Sequence, residues 1–125
     1  MAYDGAEDRE SRRLYRIAAD EGEAGAQVNL GLLCAEEGGG LPSDEAAAAR
    51  LFKLAADQGK ALGRAYLGDF HERGCGGLPQ DIAVAVRFYR LAADQGNGWA
   101  ETALARLGRQ REEEEAQGWR EVAGG

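Results

Sequence analysis

The sequence predicts an all-α fold, in which six helices pack as pairs and stack into an α/α superhelix (solenoid). First, one six-residue phrase occurs three times at a spacing of 37 residues, at positions 17–22, 54–59 and 91–96. Second, residues 23–59 and 60–96 are identical at 17 of 37 positions. Third, apolar residues follow a helical period within each copy. A period of about 20–50 residues is typical of stacked units that bury a core only together.

Each copy contains two helical stretches joined by a glycine-rich turn, which is the pattern of a helix hairpin. We name the first stretch the A helix and the second the B helix. Counting back from the first phrase, residues 7–21 form a B helix with no A helix before it. The predicted order is therefore B-A-B-A-B-A, and either a natural cap or a segment of a longer array would explain it.

The A helices are expected at residues 24–37, 61–73 and 98–117, with Leu30, Leu67 and Leu104 in register. Gly31 and Gly68 lie inside these helices, where a glycine costs roughly 1 kcal/mol, so we expect a neighbouring helix to approach them closely. The last helix ends in four glutamates at 112–115, which the helix dipole disfavours. We expect it to fray beyond residue 118, or to belong to a longer array.

The B helices show the repeat most clearly. Asp44 and Asp81 follow a proline and are predicted N-caps, each worth roughly 1 kcal/mol. Gly59 and Gly96 are predicted C-terminal stops. One apolar face is expected from the matched positions Ala46, Arg50, Leu51, Leu54, Ala55 and Ala83, Arg87, Phe88, Leu91, Ala92.

Composition excludes several classes of function. The chain has 125 residues, a net charge of −7 and no apolar run of the roughly 20 residues that a membrane span needs. Its acidic N-terminus does not resemble a signal peptide, so a cytoplasmic protein is expected. The negative charge disfavours nucleic acid. Cys34 and Cys75 occupy non-equivalent repeat positions, and we expect two reduced thiols rather than a disulfide.

No motif indicates catalysis, a metal site or a cofactor. His71 is the only histidine, and no second histidine or paired cysteine completes a ligand set around it. Residues 74–77 are glycine-rich but lack the ending of a phosphate-binding loop, so they are predicted to be a turn. Neither Ser11 nor Ser43 has a histidine in its own repeat, which argues against a serine nucleophile.

Each complete copy carries three motifs in the same order. They are Ala-x(5)-Leu-Gly, which starts at Ala24 and at Ala61, then Gly-Leu-Pro-x-Asp, then Ala-x(7)-Leu-Ala-Ala-Asp-Gln-Gly. This pattern resembles the Sel-one-like repeat (SLR) family, relatives of the tetratricopeptide repeats. The resemblance implies a scaffold for protein complexes. It divides a single domain, 1–125, into a trailing half repeat (7–22), two repeats (23–59 and 60–97) and a leading half repeat or capping helix (98–118).

The chain departs from this family at three points. Cys34 and His71 replace the aromatic residue that follows the Leu-Gly pair. An extra glycine lengthens each repeat by one residue and should loosen the A–B turn. A penicillin-binding subgroup carries a cysteine pair inside each repeat, and Cys34 and Cys75 do not form such a pair.

In tetratricopeptide-like arrays the A helices line a concave groove, and the helical period selects the residues that face it. The groove is expected to be apolar at one end, acidic in the middle, and basic with a tryptophan at the other end. The predicted row is Gly25, Val28, Leu32, Ala35 and Glu36, then Leu62, Ala65, Asp69, Glu72 and Arg73, then Trp99, Thr102, Arg106, Arg109 and Gln110.

Two interpretations of this row remain open. In the first, Trp99 and Leu62 form an anchoring pocket while Arg106 and Arg109 pair with a partner's carboxylate. In the second, Trp99 covers the end of the stack and the arginines pair with residues 112–113 of their own helix.

The expected function is a non-enzymatic scaffold or adaptor that binds a peptide or protein surface through the groove. The predicted binding residues are Leu62, Asp69, Glu72, Arg73, Trp99, Thr102, Arg106 and Arg109. One alternative is a regulatory domain that inhibits an enzyme by covering it, and another is a small penicillin-binding or β-lactamase-like hydrolase. Apolar residues around Tyr3, Leu14 and Tyr15 could also drive self-association through the ends of the stack.

Overall fold

A computed structural model describes residues 6–36 and 43–124, and within these ranges the expected all-α fold is confirmed. Six helices and no strands are present in this part of the chain, and helices adjacent in sequence pack together. The B helices are α1 (Ala6–Asp20), α3 (Glu45–Asp57) and α5 (Ile82–Asp94). The A helices are α2 (Ala24–Ala35), α4 (Ala61–Arg73) and α6 (Gly98–Gly124). The predicted turn at 37–42 and residue Tyr3 lie outside the described residues.

Glycine ends each B helix, as predicted for Gly59 and Gly96. Gly22, Gly59 and Gly96 have φ of 95°, 86° and 91°, in the left-handed region that glycine adopts without steric cost. After Gly59, the Lys60 backbone N–H donates to the Ala55 carbonyl at 3.0 Å. The same bond recurs at the other two ends of B helices. A local sequence signal thus fixes the angle at which each A helix leaves the preceding B helix.

Side chains also satisfy free backbone donors where helices begin. Asp44 accepts a hydrogen bond from the Ala47 N–H at 2.9 Å, and Asp81 accepts one from the Val84 N–H at 3.1 Å, so both predicted N-caps are confirmed. Asn97 caps α6 in the same way.

Close helix approach explains the glycines inside the A helices. A β carbon on Gly31 would lie 2.7 Å from the Phe52 ring, and one on Gly68 would lie 2.8 Å from the Tyr89 ring. Phe52 and Tyr89 are equivalent residues of the two complete repeats, and both are buried. Ala105 takes the equivalent position in α6, where it is exposed.

The core consists of two clusters, one centred on Phe52 and one on Tyr89. The Phe52 cluster draws on α1 to α4, and the Tyr89 cluster on α4 to α6. Each helix packs mainly against its neighbours in sequence, as in other repeat proteins. None of the helices in the described ranges has the length and apolar content needed to cross a lipid bilayer.

The expected apolar face of the B helices is only partly right. Ala55 and Ala92 are fully buried as expected, but Leu54 and Leu91 are 51% and 45% exposed, and Phe52, which was not on the expected face, is fully buried. The reason is that Phe52 must face the glycine of the A helix. Leu54 lies two residues further on, on the opposite side of the helix.

The last helix is longer than expected. It continues to Gly124 without a break at residue 118, although four glutamates lie along its second half. Its sequence between 109 and 124 contains neither proline nor a β-branched run, so local propensity does not interrupt the helix.

Candidate binding groove

The A helices keep a stripe of side chains wholly or partly exposed, and we call this side the A-helix face. On α4 its residues are Leu62, Tyr66, Asp69 and Arg73, at the i, i+4, i+7, i+11 spacing of a helical stripe. Phe70 lies beside this stripe and is buried.

Two residues of the predicted row belong to the core instead. Val28 is 2% exposed and Ala65 is fully buried. Ala65 packs with Ala85, Tyr89 and Ala100, so it points towards the next repeat rather than into a groove. Sequence periodicity gave the correct helix but set the exposed stripe one residue too early at these positions.

Trp99 is the largest apolar side chain on the A-helix face. It is 40% exposed, and its ring centroid lies 4.8 Å from that of Tyr66, with 59° between the planes. Its other aromatic neighbour is Tyr89, at 6.4 Å and 72°. Tyr66 in turn stacks on Phe52 at 4.8 Å. A continuous set of rings therefore connects the core to the surface.

Sequence reasoning missed Tyr66 as a groove residue. The position of Tyr66, four residues after Leu62 and on the same helical stripe, is the sequence signal that could have identified it. Leu62 is also 40% exposed, so Leu62, Tyr66 and Trp99 together provide the exposed apolar part of this face. The pKa of the Tyr66 hydroxyl is raised, first by burial and then by Asp69 nearby. The phenol therefore stays neutral near pH 7.

Glu72 forms the main polar connection between repeats. Arg106 donates two hydrogen bonds to its carboxylate, at 2.7 and 2.8 Å, and the Tyr89 hydroxyl donates one at 2.9 Å. These bonds from Arg106 lower the pKa of Glu72, against the opposing effect of burial. Burial and then the bond to Glu72 raise the pKa of Tyr89. A bidentate arginine–carboxylate pair of this kind fixes geometry well.

This pairing changes the expected role of Arg106. Of the two interpretations left open, the one that pairs Arg106 with glutamates of its own helix is wrong, since its partner Glu72 lies on α4. The same guanidinium is therefore already occupied before any ligand arrives.

The middle of the A-helix face is not a free acidic zone. Arg73 pairs with Asp69 at 2.6 Å, and its guanidinium lies 5.6 Å from the centre of the Phe70 ring. The hydrogen bond to Asp69 raises the pKa of Arg73. Because Asp69 and Glu72 each have an arginine partner, the predicted charge gradient is largely neutralised at its centre.

Thr102 and Arg109 lie further along α6 and are exposed. The Thr102 hydroxyl donates to the Gly98 carbonyl at 3.0 Å, which is a bond within its own helix. Arg109 lines a shallow surface depression with Glu112 and Glu113. Thr102 lies one turn from Trp99, on the same side of the helix. Arg109 lies ten residues from Trp99, roughly 15 Å along α6, and is therefore separated from the aromatic cluster.

The other chemically notable residues have structural partners. His71 stacks on Phe88 at 5.8 Å, and its Nδ1 lies 3.2 Å from the Pro79 carbonyl oxygen. Cys34 is buried and Cys75 half-buried, and both are free thiols. Within the described ranges, no group of three or more His, Cys, Asp or Glu residues is placed to hold a metal ion.

Comparison with known proteins gives the family. The family model for the Sel1 repeat matches residues 6–23, 24–60 and 61–97. Sel1 repeats generally mediate protein–protein interactions, and the family's members are generally non-catalytic scaffolds. No curated protein matches the sequence at a significant level.

Solved structures show the same fold. A Sel1 repeat protein from Oxalobacter formigenes superposes with a TM-score of 0.69 at 35% identity, over 74% of this chain and 26% of that one. The antigen c5321 of uropathogenic Escherichia coli, which displays an SLR fold, gives 0.68 at 26% identity, over 77% and 20%. The chain thus corresponds to about a quarter or less of each of these proteins. On the matched repeats and the shared fold, the chain belongs to the Sel1 repeat family.

Proposed function

We propose that this chain is a non-enzymatic interaction module that binds a peptide or protein surface on the A-helix face. The observation that carries the proposal is the half-exposed Trp99, whose ring packs on Tyr66. The general role of the family supports the same class of function. The cytoplasmic location expected from the sequence stays a prediction.

Energetic considerations favour the aromatic end of the face as the anchor. Tryptophan and tyrosine contribute strongly to interfaces because they bury a large area with few rotatable bonds. Trp99 is also held in place by two rings, so little side-chain freedom is left to lose on binding. A partner that places an apolar side chain against Trp99 and Leu62 would bury both.

Charge contributes less to this recognition than the sequence suggested. Arg73 and Arg106 already have carboxylate partners. Arg109 remains exposed at the far side of α6, where it could contact an acidic group of the partner. Affinity should therefore depend mainly on apolar contact and only weakly on salt.

An affinity capture from the source cell's lysate, followed by measurement with the purified partner, tests the proposal. Trp99→Leu should lower the affinity for the captured partner at least tenfold, while circular dichroism confirms an intact fold. Ile82→Ala is the matched control, because Ile82 is 45% exposed at the start of α5 and away from the A-helix face. Equal affinity of wild type and Trp99→Leu would contradict binding at this face.

A further inference from the structure

The outer face of the stack, formed by B-helix side chains turned away from the A helices, repeats three positions in every copy. Two of them are basic and the third is aliphatic. These residues are Arg13, Arg16 and Ile17, then Arg50, Lys53 and Leu54, then Arg87, Arg90 and Leu91, and all are exposed. A chain with a net charge of −7 thus carries a row of cations along one face.

These cations form only weak ion pairs within the chain. Arg13 pairs with Glu10 at 3.2 Å and Lys53 with Asp57 at 3.3 Å, but all four side chains are more than half exposed. Solvent screens exposed pairs of this kind, so they hold these cations only weakly. In the described part of the chain, no carboxylate forms an ion pair with Arg50.

A cavity of 260 Å³ opens on this face between α3 and α5. Its volume lies below the roughly 300–1,000 Å³ of drug-sized ligand pockets, so it suits a single large side chain. Its lining is apolar at Ala49, Leu67, Leu78 and Phe88, and Arg50 and Lys53 lie at the same cavity. An apolar group attached to an acidic segment would match this combination.

The second half of α6 has those properties. Trp119 and Val122 are both 74% exposed, the highest exposure among the large apolar side chains of the described residues. Glu112 and Glu115 precede Trp119 by seven and four residues, so all three lie on one side of the helix. Glu115 has only an exposed pair with Arg111 on its own helix. This side of α6 therefore combines carboxylates with an exposed indole.

The two surfaces cannot easily meet within one chain. Because α6 is one continuous helix from Gly98 to Gly124, its end projects roughly 20 Å beyond Arg111 and does not turn back towards α3. We propose that Trp119 of one copy occupies the cavity between α3 and α5 of a second copy, with Glu112 and Glu115 facing Arg50 and Lys53. The occupant of the outer face is therefore the α6 end of another molecule.

Both halves of this contact favour association. Burial of Trp119 and Val122 removes apolar surface from water. Arg50 and Lys53 add cationic neighbours to carboxylates that have only exposed arginines beside them on their own helix. The contact joins two different surfaces. It can therefore close reciprocally into a dimer or continue from molecule to molecule.

Sedimentation velocity of the full chain over a concentration series tests the proposal. Wild type should associate as concentration rises. Trp119→Ala, which alters only the helix end, and Arg50→Glu/Lys53→Glu, which alters only the cavity, should each weaken association at least tenfold. An equimolar mixture of the two variants should recover a heterodimer, because one intact helix end can still meet one intact cavity.

The mixture also distinguishes this contact from direct packing of one α6 end against another. If α6 ends packed against each other, the cavity variant would associate normally and the mixture would recover nothing. Ile82→Ala controls for the loss of an exposed aliphatic side chain elsewhere and should behave as wild type. A wild type that stays monomeric at all concentrations overturns the proposal, even if its outer face binds an acidic peptide, nucleic acid or anionic vesicle instead.

Discussion

The ring of Tyr89 lies directly on the backbone of Gly68, where a β carbon would come within 2.8 Å of two ring carbons. The equivalent pair, Gly31 and Phe52, repeats this contact one repeat earlier. A glycine in each complete A helix thus sets how closely its B helix can approach.

Gly68→Ala should therefore destabilise the fold. The added methyl group must displace a buried ring, and overpacking typically costs about 1–3 kcal/mol, which exceeds the gain in helix propensity of about 1 kcal/mol. Gly108→Ala is the control, since a β carbon there meets no atom within 4 Å and should be neutral or stabilising. Denaturant unfolding gives both values, and equal stability of the two variants would contradict the packing argument.

Asp81→Ala should lower the free energy of unfolding by about 1 kcal/mol through loss of the N-cap. Asp81→Asn keeps a side-chain oxygen in place and should recover most of that loss. If alanine and asparagine lowered the midpoint of thermal unfolding equally, capping would not be the cause.

The Glu72 network predicts a pH dependence. The pKa of Glu72 lies below its ordinary value of 4.5 in the folded chain, so the ionised form contributes stability that is present above that value. This contribution is lost as pH falls through the lowered pKa. The stability difference between wild type and Glu72→Gln should therefore shrink on acidification from about pH 7 to pH 3. A difference that stayed constant between pH 7 and pH 3 would show that the ionised Glu72 is not its cause.

The two thiols should react at different rates. Cys75 is half-buried and its pKa is raised, mainly by burial, so little reactive thiolate exists near pH 7. Cys34 is buried and should react only when the fold opens. Labelling with a thiol reagent, followed by mass spectrometry, should show that Cys75 is modified before Cys34. The modification of Cys75 should be slow near pH 7 and faster at high pH. Preferential labelling of Cys34 would show that the α2–α3 region opens readily.

Trp99 can report on the A-helix face directly. The chain has two tryptophans, so Trp119→Phe leaves Trp99 as the single indole fluorophore. Binding of the captured partner should shift its emission towards shorter wavelength, because contact excludes water from the exposed part of the ring. A saturable interaction without any change in emission would place the partner on another surface.

The sequence by itself determined the fold class, the helix order, the caps at Asp44 and Asp81, and the need for close approach at Gly31 and Gly68. These features are local or follow from the 37-residue period, and both kinds of signal can be read along the chain. The sequence pattern placed Leu54 and Leu91 on the apolar face, although both are exposed, because an amphipathic pattern does not say which side a neighbour covers.

Only the tertiary structure decided the composition of the A-helix face. Ala65 became core because α5 and α6 cover it, and Arg106 was paired by Glu72, which lies 34 residues away in the chain. Tyr66 gained its role from contact with Trp99 on a neighbouring A helix. A helical period fixes the angles between side chains on one helix, but contacts between repeats determine which of those side chains remain free to bind.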